Sequence, residues 1–237
     1  MSETGFVISR EGVTLSSRLV AAIRDAILDG RLAPGRHLKE RELCEMFQVS
    51  RSLVREAVQK LAAEELVTLV PHRGLTVARI DRRAARELYK VRAVLEGLAF
   101  AEFSQHADEA AREELFRLAA RLRELVDGDP PQALLDAKNA FYACVLDGCG
   151  NRVVRQMFTQ LNNRIVQLRR ISMSRPGRLP ETLREIDAIA DAVRRRDAEA
   201  ARRAAEEHVA SAGRVADLRF EEMEREADKA SGSAERR

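Results

Sequence analysis

The sequence predicts a mainly α-helical protein in two parts: a small unit of three helices and a hairpin, then an antiparallel all-α bundle of about six helices. Three observations point there. Aromatic residues are only 4% of the chain and Trp is absent, while Ala, Arg, Glu and Leu dominate, a composition of helix formers. Apolar residues recur at i, i+3/i+4 spacing through most of the 237 residues. β-rich runs on either side of a turn occur only near residues 66–78.

Residues 1 to about 13 carry no periodic pattern and read as a loose arm. Thr14 or Ser16 can cap a first helix, in which Leu19, Val20, Ile23, Ile27 and Leu28 form one apolar stripe. Gly30 ends it, and Arg31-Leu32-Ala33-Pro34-Gly35 is turn chemistry. A second helix from about Glu40 to Phe47 places Leu43 and Phe47 on a buried face, and Gln48-Val49-Ser50 turns the chain into a third. At about 100° per residue, Arg51, Ser52, Arg55, Gln59 and Ala62 fall on one arc of that third helix, and Val54, Ala57, Val58 and Leu61 on another. The first arc offers guanidinium, amide and hydroxyl groups, donors suited to phosphate oxygens and to purine edges in a major groove.

Leu66 to Val70 and Leu75 to Ala78 then make a small hairpin around Pro71-His72-Arg73-Gly74. Three helices and a hairpin in this order make a winged helix-turn-helix, whose third helix enters the major groove while the wing tip reaches the backbone or minor groove. Beyond Asp81, helices are expected at about 82–104, 108–127, 131–147, 151–174, 180–196 and 198–226, separated by Gly/Pro-rich breaks, and short loops make them antiparallel neighbours. The expected divisions are 1–80 for the DNA-binding unit, 81–226 for the helical unit and 227–237 for a polar, disordered tail without an apolar face.

Several function classes are disfavoured. The net charge is only +3, and residues 1–80 hold 12 Lys/Arg against 10 Asp/Glu, so a nucleic-acid partner must be argued from charge placement. Cys44, Cys144 and Cys149 show no paired spacing, which points to a reducing cytoplasm and away from a thiolate zinc site. The first ten residues do not read as a secretion signal, and no apolar run approaches a membrane span. No nucleophile–base set, phosphate loop or His-Glu metal motif appears, so an enzyme is not expected. The Arg-rich stretch 194–203 is interleaved with Asp197 and Glu199 and reads as a solvated, ion-paired surface.

Residues of both parts carry a family signature. The run Arg31-Leu32-Ala33-Pro34-Gly35, then Leu38-Lys39-Glu40-Arg41-Glu42-Leu43, Ser50-Arg51, Val54-Arg55-Glu56-Ala57-Val58 and Arg73-Gly74 resembles the DNA-binding domain of GntR-type bacterial transcription regulators. Asp81 to about Met223 resembles the all-helical FCD effector domain of one branch of that family, through Tyr89-Lys90-Val91-Arg92-Ala93-Val94-Leu95-Glu96, Gly150-Asn151, Arg196-Asp197 and His208. Leu53 stands where the family often has Pro, and Glu65 where it often has Gly. The resemblance implies a cytoplasmic homodimer that binds a near-palindromic double-stranded operator, most often as a repressor, and responds to a small organic-acid-like metabolite. DNA contacts then fall on Arg41, Ser50, Arg51, Ser52, Arg55, His72, Arg73 and Gly74. For Arg41 the alternative is a surface pair with a nearby Glu, and for His72 a plain turn residue.

Many FCD domains hold a divalent metal through an Asp-x3-His and two later His. In the matching register the Asp becomes Lys138, the first His Tyr142 and the second Ile186, and only the last survives, as His208. An ammonium and a lone imidazole make a poor site, so neither metal nor other cofactor is expected. Lys138 could instead hold an anionic effector by its fixed charge, with Tyr142 and His208 adding hydrogen bonds. Alternatively Lys138 is solvated and Asn139 faces inward, while His208 is a satisfied core residue. Arg92 and Glu96, at i and i+4, are either an ordinary intrahelical pair or part of the pocket. Two rival functions remain: a constitutive DNA-binding protein with a structural bundle, and, more remotely, a metabolite-converting helical enzyme.

Overall fold

A computed structural model describes residues 14–70, 74–125 and 131–234. They form two compact units, divided between Arg79 and Ile80. In the first unit, α1 (Leu15–Leu28), α2 (Glu40–Phe47) and α3 (Arg51–Ala63) are followed by β2 (Val67–Val70) and β3 (Gly74–Val77). A two-residue strand, β1 (His37–Leu38), joins the hairpin to give the antiparallel order β1-β3-β2, with Val70 opposite Gly74. Two residues after a glycine turn are too few for an alternation signal, so β1 was not legible as a strand.

Thr14, rather than Ser16, caps α1 by accepting from the Ser17 amide. Ser16 is buried instead, where it donates to Glu56 and accepts from the Lys60 ammonium, tying α1 to α3. Leu19, Val20, Ile23 and Ile27 meet Leu43, Val54, Val58 and Leu61 in one core, closed below the hairpin by Leu66, Leu75 and Val77. Each such side chain contributes roughly 1.5–3 kcal/mol on burial. Gln48, at the end of α2, and Glu65, before the hairpin, both sit in the left-handed region, at φ 51° and 56°. Glu65 therefore occupies a backbone conformation that glycine adopts most readily, at the position where the resemblance led one to expect glycine.

The second unit contains α4 (Arg82–His106), α5 (Glu109–Arg123), α6 (Pro131–Gly148), α7 (Arg152–Met173), α8 (Arg178–Arg194) and α9 (Ala198–Ala234). Asp81, Asp108, Asn151 and Asp197 each accept from an amide in the first turn of the helix that follows. The expected helices match within a few residues except the last. There α9 continues through 227–234, where a disordered tail was expected, although Asp228, Ser231, Gly232 and Ser233 are weak helix formers.

Helix α4 lies along α9, which also packs on α8, while α5 packs on α6 and α8. The core runs from Phe100, Phe103 and Phe141 through Ile165 to Ile186, Ile189 and Val193. Among the described residues, no helix is long and apolar enough to cross a membrane.

Candidate functional sites

In the first unit, Ser50 begins α3 and its hydroxyl accepts from the Leu53 amide. That cap sets the direction in which the first turn of α3 leaves the Gln48-Val49-Ser50 turn. Arg51, Ser52, Arg55 and Gln59 are exposed together, opposite the buried Val54, Ala57, Val58 and Leu61. Ala62, expected on the exposed arc, is partly buried against the core. Ser52 hydrogen-bonds Ser50 at 3.0 Å, and the Arg55 Nε donates to Glu40 at 3.1 Å. Arg41 donates to Glu45 at 2.7 Å, so it makes the surface pair foreseen as its alternative role. Both pairs are well exposed and are worth at most about 1 kcal/mol, so a phosphate can displace the carboxylate at small cost. Gly74 opens β3 at φ +79°, and a Cβ there would lie 2.9 Å from the His37 ring, two reasons for glycine at the base of the wing. His72 and Arg73 lie outside the described residues.

In the second unit, the bundle interior holds an unusual concentration of charge. Arg92, Lys138, Arg169 and Arg178 are each no more than 3% exposed, as are Glu96, Tyr142 and His208. They come from all of α4, α6, α7, α8 and α9. Arg92 donates to Glu96 Oε1 through Nε and Nη2, at 3.0 and 2.8 Å, and Arg169 reaches the same oxygen at 4.0 Å. The Arg92–Glu96 contact is the intrahelical i, i+4 pair of one expectation, and it is buried inside the cluster. Arg169 also lies 3.8 Å over the Tyr142 ring and donates to the Asn139 side chain at 2.7 Å. Lys138 and Asn139 therefore both serve the cluster, Lys138 directly and Asn139 by holding Arg169.

Arg178 donates to both oxygens of Glu185, at 2.9 and 2.6 Å, and Glu185 Oε2 meets His208 Nδ1 at 2.6 Å. Burial favours the neutral acid at Glu185, but hydrogen bonds from His208 and Arg178 outweigh it and hold the carboxyl down to about 2. Burial, assisted by Lys138 and opposed by Glu185, pushes His208 down to about 4. The imidazole is then neutral at pH 7, donating from Nδ1 and leaving Nε2 bare.

Lys138 corrects the sequence expectation. Burial and the facing Arg169, Arg178 and Arg92 push its ammonium well below the ordinary lysine range, with Glu96 opposing. It is not a fixed charge; the three guanidiniums are. Arg169 and Arg178 escaped the sequence reading because long basic side chains are mostly exposed. A signal did exist: Arg178 and Thr182 continue, at i and i+4, the stripe that buries Ile186, Ile189 and Val193 on α8. Glu185 sits at the edge of that stripe, so it was equally easy to miss.

Seven buried polar atoms lack a partner among the described residues, and six belong to this cluster: Arg92 Nη1, Glu96 Oε2, Tyr142 Oη, Arg169 Nε, Arg178 Nε and His208 Nε2. Buried polar atoms are nearly always bonded, so such a set makes the cluster a candidate site where ordered water or a ligand supplies partners. Among the described residues, no group of three or more His, Cys, Asp or Glu is placed to hold a metal ion. The expected metal register does converge in space, since the Tyr142 and His208 rings lie 6.4 Å apart and Lys138 acts on His208 electrostatically. The Arg-rich surface near residue 200 is ion-paired, with Arg194 on Asp191, Arg196 on Glu109, and Arg202 and Arg203 on Glu199.

Both units match known family models, residues 15–77 that of the gntR family of bacterial regulatory proteins and residues 87–211 the FCD domain. The chain belongs to the GntR family, FCD branch. This GntR protein is 28% identical to the galactonate operon transcriptional repressor of Escherichia coli, covering 84% of this chain and 95% of the relative. It is 35% identical to the gluconate operon transcriptional repressor of Bacillus licheniformis over a shorter region, 35% of this chain and 34% of the relative. Among solved structures, Escherichia coli McbR/YncC superposes with TM-score 0.72 at 21% identity, covering 84% of this chain and 95% of that one. A GntR transcriptional regulator from Rhodococcus superposes at 0.66 with 24% identity, covering 86% of this chain and 96% of that one. These two structures establish the fold. The family and its named relatives are transcription regulators and not enzymes.

Proposed function

We propose that this GntR-family chain is a DNA-binding repressor, working in the cytoplasm as a homodimer, whose operator affinity is set by a small anionic metabolite held in the buried cluster of the helical unit. The observation that carries the effector reading is three buried guanidiniums with unpartnered donors beside a buried lysine, since an apolar core would gain nothing from them. A buried cation needs a compensating charge, and an anion that enters the cluster supplies one. The names of two relatives, which refer to galactonate and gluconate operons, are in keeping with a carboxylate effector.

For the DNA half, Arg51, Ser52 and Arg55 form the reading surface, Arg41 and Ser50 contact the backbone, and His72, Arg73 and Gly74 form the wing contact. The dimer reading is supported by the exposed apolar stripe Val91, Val94 and Leu98 on α4, at i, i+3 and i+7. A two-fold partner that covers this stripe matches the symmetry of paired half-sites.

The test is the thermal midpoint of the full chain across a panel of carboxylic and sugar acids, each with and without chelator, followed by operator binding with each stabilising acid. A specific acid should raise the midpoint according to RT ln(1 + [L]/Kd), unaffected by chelator, and shift the operator Kd. A flat panel would favour a constitutive DNA-binding protein with a structural bundle. Turnover of a bound acid would favour an enzyme.

A further inference from the structure

The buried cluster has two ends. At one, Arg92 Nη1 and Arg169 Nε are unpartnered around Glu96, with the Tyr142 hydroxyl beside that carboxylate; at the other, Arg178 Nε and His208 Nε2 are unpartnered around Glu185. Burial, with the negative charge of Glu96 next in effect, keeps the Tyr142 phenol protonated, so its hydroxyl is a donor. Glu96 Oε2 is the one unpartnered carboxylate oxygen. Three guanidiniums, with the Lys138 amine beside them, thus face two carboxylates, while the half-exposed Glu181 adds only an outer contact to Arg178. A purely structural buried arginine in the same bundle looks different. Arg112 is 3% exposed and donates to the carbonyls of Ala107, Val193 and Ser104, which leaves its guanidinium engaged on every side.

Lys138 is buried on α6 one helical turn before Tyr142, whose ring lies 6.4 Å from that of His208. Lys138 is faced by Arg92 and Glu96 from α4, Arg169 from α7, Arg178 from α8, and His208 from α9. A singly charged ligand would satisfy one end and leave the other with its donors bare. Resting on the anionic-effector reading above, we propose that the ligand is a short dicarboxylate, one carboxylate on Arg92 and Arg169 and the other on Arg178, and that its entry brings a proton onto Lys138. The second negative charge offsets the repulsion among the guanidiniums, and the Lys138 amine takes its proton from solvent to become an ammonium between the two carboxylates. Affinity for the dicarboxylate therefore rises as pH falls through the range in which Lys138 gains its proton in the complex.

Isothermal titration calorimetry on the full chain tests this with malonate, succinate, glutarate and adipate, the monocarboxylates of equal length, and glycerol phosphate. Each is titrated at one pH in two buffers of different ionisation enthalpy. At least one dicarboxylate should bind about tenfold or more tightly than its monocarboxylate, because the latter leaves buried charge unpaired. That binding should take up close to one proton. Lys138→Met should abolish the uptake and reduce the preference to below about threefold, and Lys138→Gln serves if that variant does not fold. Equal affinity for the two classes, absence of uptake, or uptake that persists in both Lys138 variants overturns the proposal. Tighter binding of glycerol phosphate than of every dicarboxylate overturns the two-ended arrangement in favour of one doubly charged head. If no acid of either class binds the wild type, the anionic-effector reading itself fails.

Discussion

At Arg51 and Arg55 the guanidinium groups stand exposed at the start of α3, Arg55 held only by its exposed pair with Glu40. If each reads a base bidentately, Arg51→Ala or Arg55→Ala costs about 1–3 kcal/mol of operator affinity, measured by fluorescence anisotropy, and relaxes preference at one base position. Unchanged affinity in both would move the reading surface elsewhere. His208 behaves differently, because its effect is on folding. Its proton affinity is depressed in the folded state to about 4, against about 6.5 unfolded. The unfolded chain takes the proton first, so this group's contribution is full above pH 6.5 and is lost as pH falls toward 4, by up to about 3 kcal/mol. Calorimetric melts should show a steeper decline for wild type than for His208→Gln across that window; parallel declines would show that another group dominates.

At the level of elements, helix starts were legible because a break precedes each apolar period, whereas the caps Ser50, Asp81, Asp108 and Asn151 came from the structure, the sequence having offered only Thr14 or Ser16 for the first helix. Close approach between helices was not legible. Gly148 ends α6 against Phe103, where an added Cβ would lie 2.5 Å from a ring carbon that is fully buried. From sequence Gly148 is only half of a glycine-rich break, but its second constraint comes from α4. Gly148→Ala is expected to lower stability by about 1–3 kcal/mol through overpacking, despite the better helix propensity of Ala. A melting midpoint equal to wild type would mean that Phe103 has room to move.

For the whole molecule, the expected partner of the α4 stripe is a second copy. Val94 is 66% exposed in the single chain, flanked by Val91 and Leu98. Val94→Asp would bury two like charges at a two-fold seam, and sedimentation analysis should show the dimer shifted toward monomer, with weaker operator binding as a consequence. A dimer unaffected by Val94→Asp would place the seam on another face. The two-part architecture was readable from the change of hydrophobic period at residues 66–78 and the helical period beyond Asp81, because each unit's core is patterned locally along its own helices.

The sequence by itself determined the family and the fold class, through motifs and periods each local along the chain, and the polar face of α3 at Arg51, Ser52, Arg55 and Gln59. It also singled out Lys138 and Tyr142 by their departure from the family's metal register, and His208 as the one position that keeps it. Only the tertiary structure decided what those residues are part of. Arg92, Lys138, Arg169, Arg178 and His208 come from five helices spread over more than a hundred positions, and nothing local marks them as neighbours. The charge state of Lys138 was decided there too. Proton affinity in a low-dielectric interior is a sum over burial and surrounding charges, and three of those charges are guanidiniums brought in by other helices.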